Sequence, residues 1–128
     1  IGKLKSLGHD DNPDVANLIG YSSRKLGRYD DAKLWYERAL ATNRNDPRPY
    51  FLLGAMYAAQ WFAAIRRAVP DLDTRVVHAD FAPLFDWLRE HIWSQGSRWT
   101  TPQLVQRASG EALNTLHFRR HLESRYLA

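Results

Sequence analysis

The sequence has no cysteine among its 128 residues, so disulfides and thiolate metal sites are excluded and nothing in it calls for an oxidising compartment. It also has no long apolar run. The longest, from Tyr50 to Ile65, is broken by Gln60 and flanked by Arg48 and Arg66, too polar a stretch for a membrane span. No signal-peptide pattern opens the chain, and a first residue of Ile1 suggests that the chain is trimmed. The expectation is a soluble, cytoplasmic protein of one compact domain over residues 1–128, long enough to bury a core without covalent staples. Charge of one sign is not massed anywhere: the 18 basic and 14 acidic residues, net +4, are interspersed on most expected helices. Nucleic-acid binding asks for clustered cations beside exposed aromatics, so a polyanion partner is not expected.

Convincing strand alternation is missing as well, and helical periodicity takes its place. Val15, Leu18, Ile19 and Ser22, then Leu26, then Ala32, Trp35, Tyr36, Ala39 and Leu40 recur at three- and four-residue steps. Helix starts stand at Asn12-Pro13-Asp14, Asp46-Pro47 and Thr101-Pro102, with a looser version at Asp80 before Phe81-Ala82-Pro83, because a capping side chain precedes a proline whose missing N–H costs nothing there. Stops stand at Gly27, Pro70, Gly96 and Gly110. These signals predict an all-α fold with helices near residues 1–7, 13–26, 30–43, 47–69, 71–79, 81–95, 101–109 and 115–127. Short connections make sequence neighbours pack as hairpins and leave no linker between independent domains.

From Asp14 to Asp46, the residues Gly20, Leu26-Gly27, Tyr29, Ala32, Tyr36 and Ala39 fall at offsets that resemble one tetratricopeptide repeat, with Arg44 where a proline is usual. Small residues at 20, 32 and 39 let two helices approach, while Tyr29 and Tyr36 fill the space beside them. A second repeat begins at Pro47, with Tyr50, Leu53, Gly54 and Tyr57, and does not finish. The resemblance implies a peptide groove along the first helices, lined by Asn17, Tyr21, Arg24 and Lys25, then Phe51 and Ala55. Such a groove normally needs about three repeats, so only residual, weak peptide binding is expected.

From Tyr50 to Tyr126 the chain resembles the C-terminal end of the carboxypeptidase Taq metallopeptidases. The residues that carry this are Leu53-Gly54-Ala55-Met56-Tyr57-Ala58-Ala59-Gln60, Asp80-Phe81-Ala82-Pro83-Leu84, Trp87-Leu88-Arg89-Glu90-His91-Ile92, Gly96-Ser97-Arg98 and Leu104 to Glu111. It departs at Trp93 and at Leu116-His117. That resemblance implies an all-helical metal-dependent peptidase whose ligands come from a His-Glu-x-x-His helix and a downstream glutamate. The motif occurs nowhere in this sequence.

Both patterns ask for Leu-Gly followed three residues later by Tyr, so one continuous helix over 47–69 can serve a repeat-like part (1–46) and a peptidase-tail-like part (70–128). This favours a recombined or engineered helical protein, a hairpin continuing through a shared helix into a bundle of seven or eight helices. Its purpose would be stable folding without native activity: not an enzyme, with no catalytic residue, cofactor or metal. Homodimerisation through a poorly matched apolar surface is the remaining partner expectation, and the alternative function is a tetratricopeptide-type binding module. His117 and His121 lie four apart on one helix but lack a third ligand among Arg119, Arg120 and Arg125, which reads as surface. Glu90 and His91 diverge around their helix, and Ser97 and Ser109 lack a histidine at catalytic spacing. Trp35, Trp61, Trp87, Trp93 and Trp99 read as core and interface filler.

Overall fold

The computed structural model describes residue 8 and residues 12–127, so the helix expected near residues 1–7 lies outside the described residues. Among the described residues there are only helices and turns: α1 (Pro13–Lys25), α2 (Tyr29–Thr42), α3 (Pro47–Ala68), α4 (Leu72–Val77), α5 (Ala82–His91), a 3₁₀ turn (Trp93–Gln95), α6 (Thr101–Ser109) and α7 (Thr115–Tyr126). The fold is all-α, as the periodicity and caps require. Asn12 caps α1, its side chain accepting from Asp14 N at 2.8 Å, and Asp46 accepts from Arg48 N at 3.0 Å at the start of α3. At α6 the cap is Thr100 and not Thr101, because Gln103 answers Thr100 in a reciprocal capping box.

The helix expected over 81–95 ends early, at His91. Ser94 Oγ donates to the Glu90 carbonyl at 2.7 Å and Gln95 Nε2 donates to the same oxygen at 3.4 Å, so side chains take over the carbonyl that a continuing helix would use. The chain then turns at Gly96.

Two compact units divide between Ala55 and Met56, inside α3, where one compact domain was expected. In the N-terminal unit, α1 and α2 form a hairpin whose buried residues are Ala16, Ile19, Ala32, Tyr36 and Ala39. Gly20 sets its closeness: a Cβ there would stand 2.7 Å from Cε1 of the Tyr36 ring, so the ring lies against bare backbone. In the C-terminal unit, Ala64, Ile65, Leu72 and Trp87 make a core covered by Trp61, Val69, Val76, Leu84, Leu88, Ile92 and Ala108. Burying each of the larger side chains contributes about 1.5–3 kcal/mol, before the entropy of ordering them.

Candidate functional site

The N-terminal unit holds a cavity of about 450 Å³ lined by Asp14, Asn17, Leu18, Tyr21, Tyr36, Arg48 and Leu52. Helical spacing explains the α1 contribution, since residues 14, 17, 18 and 21 share one face. Its rim is an ion network that α3 brings to α1. Arg48 Nη2 meets Asp46 Oδ2 at 2.6 Å and Asp14 Oδ1 at 2.7 Å, Arg48 Nε meets Asp46 Oδ1 at 2.9 Å, and Asn17 Nδ2 donates to Asp46 Oδ2 at 2.9 Å. These bonds, led by the Arg48 guanidinium, hold the buried Asp46 carboxyl down at about 2. Tyr36 is almost wholly buried, and burial pushes its phenol up to about 12.

Of the groove residues expected from sequence, the structure brings Asn17 and Tyr21 together in this cavity. Asn17 is buried and bonded to Asp46, whereas Tyr21 is half exposed with the Lys25 ammonium 5.5 Å from its ring centroid. Arg24 and Lys25 are not among the lining residues. The sequence reading did not single out Asp14, Leu18, Tyr36, Arg48 and Leu52 for this site. Tyr36 carried a usable signal, a polar hydroxyl at a position read as filler, and the charged Arg48 directly behind Asp46-Pro47 was another.

A second polar centre lies in the C-terminal unit, where the fully buried Gln60 of α3 fastens the loop between α6 and α7. Its Nε2 faces Ser109 Oγ at 2.8 Å and the carbonyls of Glu111 and Ala112 at 3.2 and 3.1 Å, and its Oε1 accepts from Asn114 N at 2.7 Å. Ser109 Oγ donates to the Val105 carbonyl at 2.6 Å, Arg67 Nη2 donates to the Ser109 carbonyl at 2.9 Å, and Gly110 turns the chain with φ 84°. Glu111 pairs with His117 and accepts from Asn114 Nδ2, and its carboxyl lies below the usual range chiefly because of His117. His117 is thus not the surface residue expected from sequence, being drawn in by Glu111, while His121 is exposed. His91 stacks on Trp87 with ring centroids 4.5 Å apart, whereas Glu90 and Ser97 are exposed. Trp87 is core, as expected. Trp93 is not: it is more than half exposed and lies 6.2 Å from the Phe85 ring.

With this geometry in view, the chain belongs to the carboxypeptidase Taq (M32) metallopeptidase family, whose model matches residues 48–126. It is 38% identical over 80 residues, 62% of this chain, to thermostable carboxypeptidase 1 of Thermus thermophilus, and 33% identical over 127 residues, 98% of this chain, to thermostable carboxypeptidase 1 of Pyrococcus furiosus. Those matches span 16% and 24% of the two relatives. A solved structure, Trypanosoma cruzi metallocarboxypeptidase 1, is similar over 89% of this chain and 29% of its own, with 26% identity and a TM-score of 0.62. A tetratricopeptide repeat model also matches, over residues 20–60.

These findings correct two expectations. A recombined helical protein without native activity is overturned, because the likeness to single natural carboxypeptidases runs through both parts of the chain. The resemblance of the N-terminal part to a tetratricopeptide repeat stands beside this likeness. The expectation of a non-enzyme also falls, since the family and its relatives are metallocarboxypeptidases. The family implies a metal, but no group of three or more His, Asp or Glu side chains among the described residues could hold one. Glu111 and His117 meet as a pair without a third ligand among the described residues, so the described residues do not fit a catalytic metal ion.

Proposed function

We propose that these 128 residues work as part of a metallocarboxypeptidase, a hydrolase that removes residues from the carboxyl end of a peptide, and that they form the helical frame near its C-terminus. One observation carries this reading: the family match over 48–126 coincides with a unit built as a frame, in which Gln60 and the Trp87 core tie α3, α5 and α6 to the loop before α7. Residues of this kind act by holding backbone in place, and the metal ligands belong to other parts of the enzyme.

The test is made on the gene product that carries these residues, incubated with a defined peptide and followed by mass spectrometry. Stepwise loss of single residues from the free carboxyl end is expected, suppressed by a chelator and by amidation of that end. Internal cleavage, or trimming indifferent to both treatments, would show that the reading is mistaken.

A further inference from the structure

Three aromatic rings form a row on the solvent side of the C-terminal unit. The ring centroids of Phe81 and Phe85 lie 6.2 Å apart, and those of Phe85 and Trp93 also 6.2 Å. The three residues are 41%, 46% and 55% exposed. The early end of α5 completes the row. Had the helix run on, residue 93 would stand about 12 Å along the axis from Phe85, but Ser94 and Gln95 take the Glu90 carbonyl and the turn brings the Trp93 ring back to Phe85. At about 100° per residue, Phe81 and Arg89 each lie about 40° around the helix from Phe85, whereas Asp86 and Glu90 lie about 100° and 140° away. Arg89 is therefore the charge of α5 that shares the aromatic face. An aromatic side chain carries about 150–250 Å², so at these exposures the row leaves about 300 Å² of ring surface in water, a patch of the size that marks interaction sites.

We propose that this row is the contact face of a dimer of the chain, in which α5 of one copy lies antiparallel to α5 of a second and the twofold axis passes beside Phe85. A second copy fits because the face is complementary to itself when reversed. The middle ring meets its own counterpart, Phe81 meets the partner's Trp93, and Arg89 reaches the partner's Phe81 ring and the half-exposed carboxylate of the partner's Asp80. A guanidinium over an aromatic face is attracted by its quadrupole, and its ion pair with Asp86, two-thirds in water on both sides, leaves Arg89 free to turn. Parallel pairing would set Arg89 against Arg89 and align the two helix dipoles. The area decides the strength. A stable dimer takes about 800 Å² from each copy and the row supplies less than half of that, so pairing is weak and concentration-dependent, with a Kd of about 10 μM to 1 mM.

Sedimentation equilibrium of the 128-residue chain between about 10 μM and 1 mM tests this. The mean mass should climb from 14.9 kDa towards twice that value and stop there, because a twofold contact closes. Phe85→Glu and Phe85→Lys should each raise the Kd at least about tenfold, with helical circular dichroism unchanged because the side chain is half in water. Mixing these two variants should restore pairing, which only a face where residue 85 meets residue 85 allows. Trp93→Ser should weaken pairing by about tenfold as well, and it decides the matter if either change at 85 disturbs the fold. Phe51→Glu removes a still more exposed aromatic from the N-terminal unit and should leave the Kd as it was. The proposal is overturned by a monomer at every concentration, by growth beyond the dimer, by a Kd that Phe51→Glu raises as much as the changes in the row do, or by mixed Phe85 variants that associate no better than each alone.

Discussion

Replacing Gln60 with leucine tests whether the carboxamide, and not the volume it fills, holds the α6–α7 loop. Leucine keeps the bulk and removes every polar contact of a side chain that is fully buried. Asn114 N loses its acceptor, the carbonyls of Glu111 and Ala112 lose a donor, and Ser109 Oγ keeps only its bonds to the Val105 and Glu111 carbonyls. Each orphaned buried group costs about 1–3 kcal/mol, but the loop lies partly in water, which can replace some bonds, so we expect a total loss of about 2–3 kcal/mol. Urea denaturation followed by tryptophan fluorescence reads it as a lower midpoint at unchanged slope. Gln60→Glu is the sharper companion. A carboxylate there faces two carbonyls and cannot donate, so burial raises its folded-state pKa above the unfolded value, and its penalty should shrink as pH falls and the acid regains one donor. A loss below about 0.5 kcal/mol in Gln60→Leu, within the range of an ordinary surface substitution, would refute the reasoning, and so would a Gln60→Glu penalty that does not change with pH.

Gly20→Ala should destabilise the chain by about 1–3 kcal/mol because its Cβ meets the buried Tyr36 ring, even though alanine is the better helix former; thermal unfolding checks this, and Tyr36→Leu in the same chain should recover much of the loss. Gly110→Ala should cost about 1 kcal/mol, since φ 84° lies in the left-handed region, with Gly110→Asn milder in the same assay. The carboxyls of Asp46 and Glu111 are both depressed in the folded chain, Asp46 to about 2. Unfolded carboxyls therefore bind protons first on acidification, so their stabilisation is present above their ordinary values of 3.8 and 4.5 and drains away as pH falls towards 2. Asp46→Asn with Glu111→Gln should flatten that part of an acid-unfolding curve; an unchanged acid limb would count against both assignments.

Helix positions were open to sequence reading because their punctuation is local: Asn12, Asp46 and Gly110 act within two or three residues of themselves. The end of α5 was not, since it depends on Ser94 and Gln95 bending back to one carbonyl, a choice that periodicity cannot register. The family resemblance was legible in residues 53–111, but the conclusion drawn from it was wrong. The repeat-like spacing in 14–46 was read correctly as a likeness, since a tetratricopeptide repeat model matches residues 20–60, but it did not justify the step to an inactive engineered chain. The cavity was half visible. Asn17 and Tyr21 follow from spacing on one helix, whereas Arg48, Leu52 and Tyr36 arrive from other helices and depend on packing that one sequence does not display. His117 was misread for the same reason, its partner Glu111 lying in the loop before α7 and meeting it only when that loop folds back.

The division between Ala55 and Met56 has a practical meaning for dissecting the molecule. Domains are commonly released by proteases at extended, exposed linkers, but here the residues on both sides of the division lie within unbroken α3. A nick there first requires unwinding the helix, and a fragment cut there begins or ends with four backbone groups stripped of partners. Cleavage in the Asn43–Asn45 turn spares α3 but parts Asp46 and Arg48 from Asn17 and Asp14. Either incision damages one of the pieces, so limited proteolysis should yield slow, ragged fragments in place of two clean bands.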